Sequence, residues 1–85
     1  MDSLSKKLLY RSKNRGCKET SLILVRYAEK YLAAMSKENL GIFATILEQN
    51  DIDLYDWLTN KNLPPIYLNS TIMQNLIREV SQLNR

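Results

Sequence analysis

Apolar residues recur along this chain at intervals of three and four almost from end to end, the spacing of helices that bury one face. The stretch SLSKKLLYRSKN predicts a first helix with Leu4, Leu8 and the stem of Arg11 on one side. ETSLILVRYAEKYLAAM predicts a second, with Leu24, Ala28, Tyr31 and Met35 in line. Ser36 stands where an N-cap belongs before KENLGIFATILEQN, whose stripe is Leu40, Phe43, Ala44 and Leu47. Asp51 or Asp53 can cap a short helix, IDLYDWLTNK, with Leu54, Trp57 and Leu58 on a shared face. Leu63-Pro64-Pro65 must run extended, because each proline disfavours helix at the residue before it. Asn69 or Ser70 then starts TIMQNLIREVSQLN, striped by Met73, Leu76, Val80 and Leu83. Five short helices without a convincing strand predict an all-α bundle, a single domain over residues 1–85. Gly16 falls at the corner between the first two helices, where a left-handed C′ glycine is expected. Gly41 lies inside the third helix, where a missing side chain would let a neighbour approach.

Composition narrows the function. A chain of 85 residues with 45% hydrophobic and 25% charged residues suits a small globular domain with no room for a second core. Its stability should be on the order of 4 to 13 kcal/mol. No apolar run approaches the length of a membrane span. The single cysteine, Cys17, cannot form an internal disulfide and suggests a reducing compartment.

Histidine is absent, which removes the commonest general base and metal ligand. Cys17 has no histidine to activate it, and no zinc spacing, Walker loop or GxGxxG is present. Asp51, Asp53 and Asp56 are better explained by helix capping and the helix dipole than by acid–base or metal chemistry. No catalytic residue, metal ligand or stably bound cofactor is expected, and the chain does not read as an enzyme.

The charge is concentrated instead. Residues 1–18 hold Lys6, Lys7, Arg11, Lys13, Arg15 and Lys18 against Asp2, a net of +5, while the remainder is −2. Within RSKNRGCKE, an exposed Arg15 and Glu19 on either side of Gly16 would make a rigid bipolar contact surface. The guanidinium can grip a carboxylate through two bonds. In DIDLYDWL, Leu54 and Trp57 read as core, and Tyr55 and Asp56 face away as candidate contacts. A basic helix beside a glycine corner is also compatible with a nucleic-acid-binding module, or with a generic protein-interaction module. Against nucleic acid, the second helix is nearly neutral and lacks the series of side chains that reads base edges.

RGCKE (Arg15, Gly16, Glu19) followed at this separation by LEQNDIDLYDWL (Leu47 to Leu58) resembles the succinate dehydrogenase FAD assembly factor family, the flavinators. These are small all-helical proteins with an RGxxE motif and a later D-x-D-L-aromatic-x-W segment. The resemblance covers roughly residues 4 to 65 and leaves the last helix outside. Many members carry aspartate two residues after the motif glutamate, where this chain has Ser21.

The resemblance implies a partner, the flavoprotein subunit of succinate dehydrogenase or fumarate reductase, and promotion of covalent FAD attachment to a histidine of that subunit. In that role Arg15 would bond the partner, Gly16 would allow close backbone approach and Glu19 would orient a partner side chain. Arg11 and Lys18 would steer the encounter, with Tyr55 and Asp56 extending the contact. FAD would belong to the partner. The early position of the motif points to the bacterial cytoplasm, ahead of a processed form in the mitochondrial matrix.

Overall fold

The structure, a computed structural model, describes residues 3–83. Its elements are α1 (Ser3–Lys13), α2 (Lys18–Tyr31), a 3-10 turn at Leu32–Ala34, α3 (Lys37–Leu47), α4 (Asp51–Leu58), a second 3-10 turn at Ile66–Leu68 and α5 (Thr71–Leu83). No strand occurs among the described residues, so the all-α expectation holds. Every helix contributes to one apolar cluster, centred on Leu24, Phe43, Ile46, Leu54, Leu58 and Met73. Burying each such side chain contributes about 1.5 to 3 kcal/mol.

Where the local pattern is regular, the structure follows it. Ser36 Oγ accepts the Asn39 amide at 3.1 Å and starts α3. Ser70 Oγ does the same for Met73 at 3.2 Å and starts α5. Leu54, Trp57 and Leu58 are buried together, as are Met73, Leu76 and Val80. The side chain of Leu83 and residue 84, both assigned to the last helix by the pattern, lie outside the description.

Four local expectations are corrected. On α1 the buried positions are Ser5, Leu8 and Ser12, a stripe rotated by one residue that leaves Leu4 at its rim, 46% exposed. The Leu24–Ala28 stripe does not continue through Tyr31, which is exposed, but through Leu32, four residues on from Ala28, whose amide still bonds Ala28 O before the 3-10 turn at Leu32–Ala34 ends the helix. The cap of α4 is Asn50, whose Oδ1 accepts the Asp53 amide at 2.8 Å, so neither Asp51 nor Asp53 caps the helix. A Cβ on Gly41 would meet nothing within 4 Å, so no helix approaches there. Gly41→Ala is therefore expected to stabilise the domain by about 0.5 to 1 kcal/mol, through lower backbone entropy in the unfolded chain. A urea midpoint that falls in this variant would show instead that the glycine is needed.

Two long-range ion pairs are found among the described residues. Lys30 Nζ meets Glu79 Oε1 at 3.0 Å and ties α2 to α5. The second joins Arg15 to Asp51.

Candidate functional site

The corner between α1 and α2 is built differently from its local pattern. No glycine in the described chain has positive φ, so Gly16 is not a left-handed cap. That conformation belongs to Asn60, at φ 64° after α4. There the Asn60 amide reaches Trp57 O at 3.2 Å and the Lys61 amide reaches Asp56 O at 2.8 Å, the paired bonds of a Schellman cap. What limits a side chain at Gly16 is space instead. A Cβ at this position would lie 3.1 Å from Asp51 Oδ2, tighter than ordinary contact.

Arg15 turns inward. Its Nε donates to Asp51 Oδ1 at 2.7 Å, and its two terminal nitrogens donate to Leu47 O at 2.7 Å and Gln49 O at 2.5 Å. The side chain is only 9% exposed. The expectation that Arg15 is exposed is corrected accordingly. The guanidinium satisfies carbonyls that the end of α3 leaves without helical partners, and it neutralises the carboxylate at the start of α4. One side chain thereby fastens the α1–α2 corner to the α3–α4 corner.

Glu19 points the other way, into solvent, from the first turn of α2. Its carboxylate is held below the usual glutamate pKa, first by its own backbone amide, then by the Cys17 thiol, which donates to Oε2 at 3.4 Å, and by Lys18. It is therefore fully ionised at neutral pH and stays so through mild acidification. Ser21 Oγ donates to Ser12 O at 2.7 Å and lies 3.1 Å from Lys13 O, closing the C-terminal turn of α1. An aspartate carboxylate could not donate these bonds, so Ser21 acts here as a hydroxyl cap.

Of the predicted site residues, Arg11, Lys18, Glu19 and Gly16 are exposed around this corner. A cleft of about 480 Å³ lies between Tyr10, Arg11 and Asn14 on the α1 side and Leu47, Glu48 and Asp51 on the other. On the α4 side, Cys17, Asp51, Ile52, Tyr55 and Asp56 line a smaller depression of about 200 Å³. The fold thus brings Tyr55 and Asp56 next to Cys17 of the RGCKE corner. Tyr55 is 39% exposed, whereas Asp56 is half-buried and occupied in closing α4. Sequence reasoning missed Asp51 and the outward Ile52, which is 77% exposed. A signal for Asp51 was present: Asn50 and Asp51 are two cap-competent residues in succession where a helix uses one.

Among the described residues no group of three or more His, Cys, Asp or Glu side chains could hold a metal ion. No described helix is long and apolar enough to cross a membrane.

Comparison with known proteins agrees with the two-motif resemblance. The chain is 39% identical over 80 residues to the mitochondrial succinate dehydrogenase assembly factor 2 of Yarrowia lipolytica, covering 89% of this chain and 54% of that protein. To the protein of the same name from Kluyveromyces lactis it is 40% identical over 82 residues, 88% of this chain and 50% of that one. To that of Saccharomyces cerevisiae it is 37% identical over 81 residues, 89% and 49%. The chain thus spans about half the length of the curated relatives it matches. These relatives are named as mitochondrial, which overturns the expectation of a bacterial cytoplasm. That expectation rested on how early the motif falls, and a chain spanning half of its relatives supports no such inference. The family model described as the flavinator of succinate dehydrogenase matches residues 6–80. The match takes in both motifs and most of α5, which the resemblance alone had left outside, and on this evidence the chain belongs to the flavinator family.

Proposed function

We propose that this chain is an assembly factor that binds the flavoprotein subunit of succinate dehydrogenase, or of fumarate reductase, and promotes covalent attachment of FAD to a histidine of that subunit. The observation that carries this reading is the family match over residues 6–80, which contains the RGCKE corner and α4 in one span. The chain acts as a scaffold, and FAD belongs to the partner. With no histidine of its own, it offers no acceptor for the flavin and no imidazole base. Its contribution is to hold the partner so that histidine and flavin ring meet in reactive geometry. Such positioning can lower a barrier by several kcal/mol, and values of roughly 7 to 11 are the upper range.

Glu19 is the partner-facing charge in this scheme. It is exposed, ionised and fixed at the start of a helix. Arg11 and Lys18 flank the corner as exposed cations and steer an acidic approach surface. Tyr55, with Ile52 beside it, supplies apolar contact on the α4 side.

The test is reconstitution. The chain is co-expressed with a flavoprotein subunit in a host lacking its own assembly factor, and covalent flavin fluorescence is read on a denaturing gel. Wild type is expected to produce the fluorescent band. Glu19→Ala is expected to reduce it by roughly tenfold or more, through loss of the charge that faces the partner. Its helical circular dichroism should stay at the wild-type value and its urea midpoint should fall only slightly, because the side chain is exposed and only its bond to the start of α2 is lost. No band with wild type, against a folded subunit, would rule out the assembly-factor role.

A further inference from the structure

Asp51 is in contact with both motif residues that the family signature places ahead of the glutamate. Its Oδ1 accepts from Arg15 Nε at 2.7 Å, and its Oδ2 occupies the space a side chain on Gly16 would need. Capping does not explain it, since Asn50 already caps α4. Nor is the contact local, because 36 residues separate Arg15 from Asp51. The backbone that leaves Gly16 passes directly to Cys17, which starts α2 without any side-chain cap bond, and then to Glu19 in the first turn. Within the segment the Cys17 thiol reaches Glu19, and the side-chain bonds that tie it to the neighbouring elements come from Ser21 on one side and from the Arg15 fork on the other. The partner-facing carboxylate therefore sits at the end of a short, stiff path that begins at Asp51.

We propose that Asp51 is a positioning residue for flavinylation: through Arg15 and the close approach of Gly16 it sets where the α1–α2 corner holds Glu19 against the flavoprotein. The proposal rests on the functional reading above. Asp51 touches neither partner nor flavin in this scheme. The RGxxE motif is thus divided in role, with Arg15 and Gly16 serving an internal strut and Glu19 serving the partner.

The experiment uses the purified chain, a purified flavoprotein subunit and FAD, and measures covalent flavin against the concentration of the chain. Asp51→Asn keeps the size and removes the charge that holds Arg15. It is expected to raise the concentration for half-maximal flavinylation by roughly tenfold, with the plateau unchanged. The matched control is Glu79→Gln, which breaks the other long-range ion pair, far from the motif in sequence, between α2 and α5. It should leave that concentration at the wild-type value. Every value is corrected for the folded fraction measured by circular dichroism at the assay temperature. Backbone amide spectra add a readout that stability alone does not move: the Cys17–Ser21 amides shift in Asp51→Asn and stay in place in Glu79→Gln.

A loss in Asp51→Asn that follows only its loss of folded protein would assign the residue to stability and overturn the proposal. Equal half-maximal concentrations for Asp51→Asn and wild type would also overturn it, leaving the assembly-factor role intact. An inactive wild-type chain would remove the assembly-factor role and this proposal together.

Discussion

Arg15→Ala is expected to lower the stability of the domain by about 3 kcal/mol, the low end of the cost of breaking a buried ion pair from one side. An exposed pair would be worth no more than about 1 kcal/mol, so burial decides the size. The Arg15 side chain is 9% exposed and donates to three acceptors, two of them main-chain carbonyls at the end of α3. Alanine leaves those carbonyls and the Asp51 carboxylate without their donor. The estimate stays at the low end because Asp51, at 28% exposed, can recruit water. Against a total on the order of 4 to 13 kcal/mol, the loss removes roughly a quarter to three quarters of the stability. At about 4 to 8 °C per kcal/mol for a domain of this size, the melting temperature should fall by about 12 to 24 °C.

Arg15→Lys should cost nearly as much, about 2 kcal/mol, because an ammonium cannot reproduce the planar fork that reaches three acceptors at once. Urea unfolding followed at 222 nm measures both variants, and the Arg15→Ala deficit should persist in 1 M salt, where exposed pairs are screened. A deficit below about 1 kcal/mol, or one that salt abolishes, would mean that Arg15 is solvated and free to reach a partner after all.

The division of the motif into an inward arginine and an outward glutamate bears on what a sequence can reveal. Helices and their buried faces were legible because their cause is local. Leu54, Trp57 and Leu58 share a face at fixed spacing, and Ser36 and Ser70 cap whatever helix follows them. The direction of Arg15 has no local cause. In RSKNRGCKE it is one of four cations, and nothing in the nine residues distinguishes it from Arg11 or Lys18, which stay in solvent. Its partner lies 36 residues away. Gly16 misled for a related reason, since a glycine after a helix is usually explained by backbone conformation. Here the cause is a carboxylate from another helix. The left-handed residue is Asn60, which pattern reading had placed within α4. The 3-10 turn at Leu32–Ala34 likewise escaped, because a change from 3.6 to 3.0 residues per turn hardly shows over three residues.

Gly16→Arg is expected to abolish flavinylation while the helical signal remains, and the reason follows from the same carboxylate. The backbone at Gly16 accepts any side chain, since its φ is not positive. Space is what fails. A Cβ arrives 3.1 Å from Asp51 Oδ2, so Gly16→Ala needs the carboxylate to yield by a few tenths of an ångström and should cost no more than about 1 kcal/mol. Arginine adds a second guanidinium beside a carboxylate already held by Arg15, and the two compete for it. Displacing the Arg15 fork even part of the time releases the corner that carries Glu19. Gly16 is itself exposed, so the long side chain would also alter the surface of the corner. Flavinylation should therefore fall in order of size, slightly for alanine and beyond detection for arginine, with urea midpoints lowered in the same order. Measuring both variants in the reconstituted assay separates the causes. A graded loss identifies displacement of the Asp51–Arg15 strut. Complete loss already at alanine, with an unchanged urea midpoint, would instead mean that the partner rests directly on the Gly16 backbone, and the strut would then account for stability but not for the glycine.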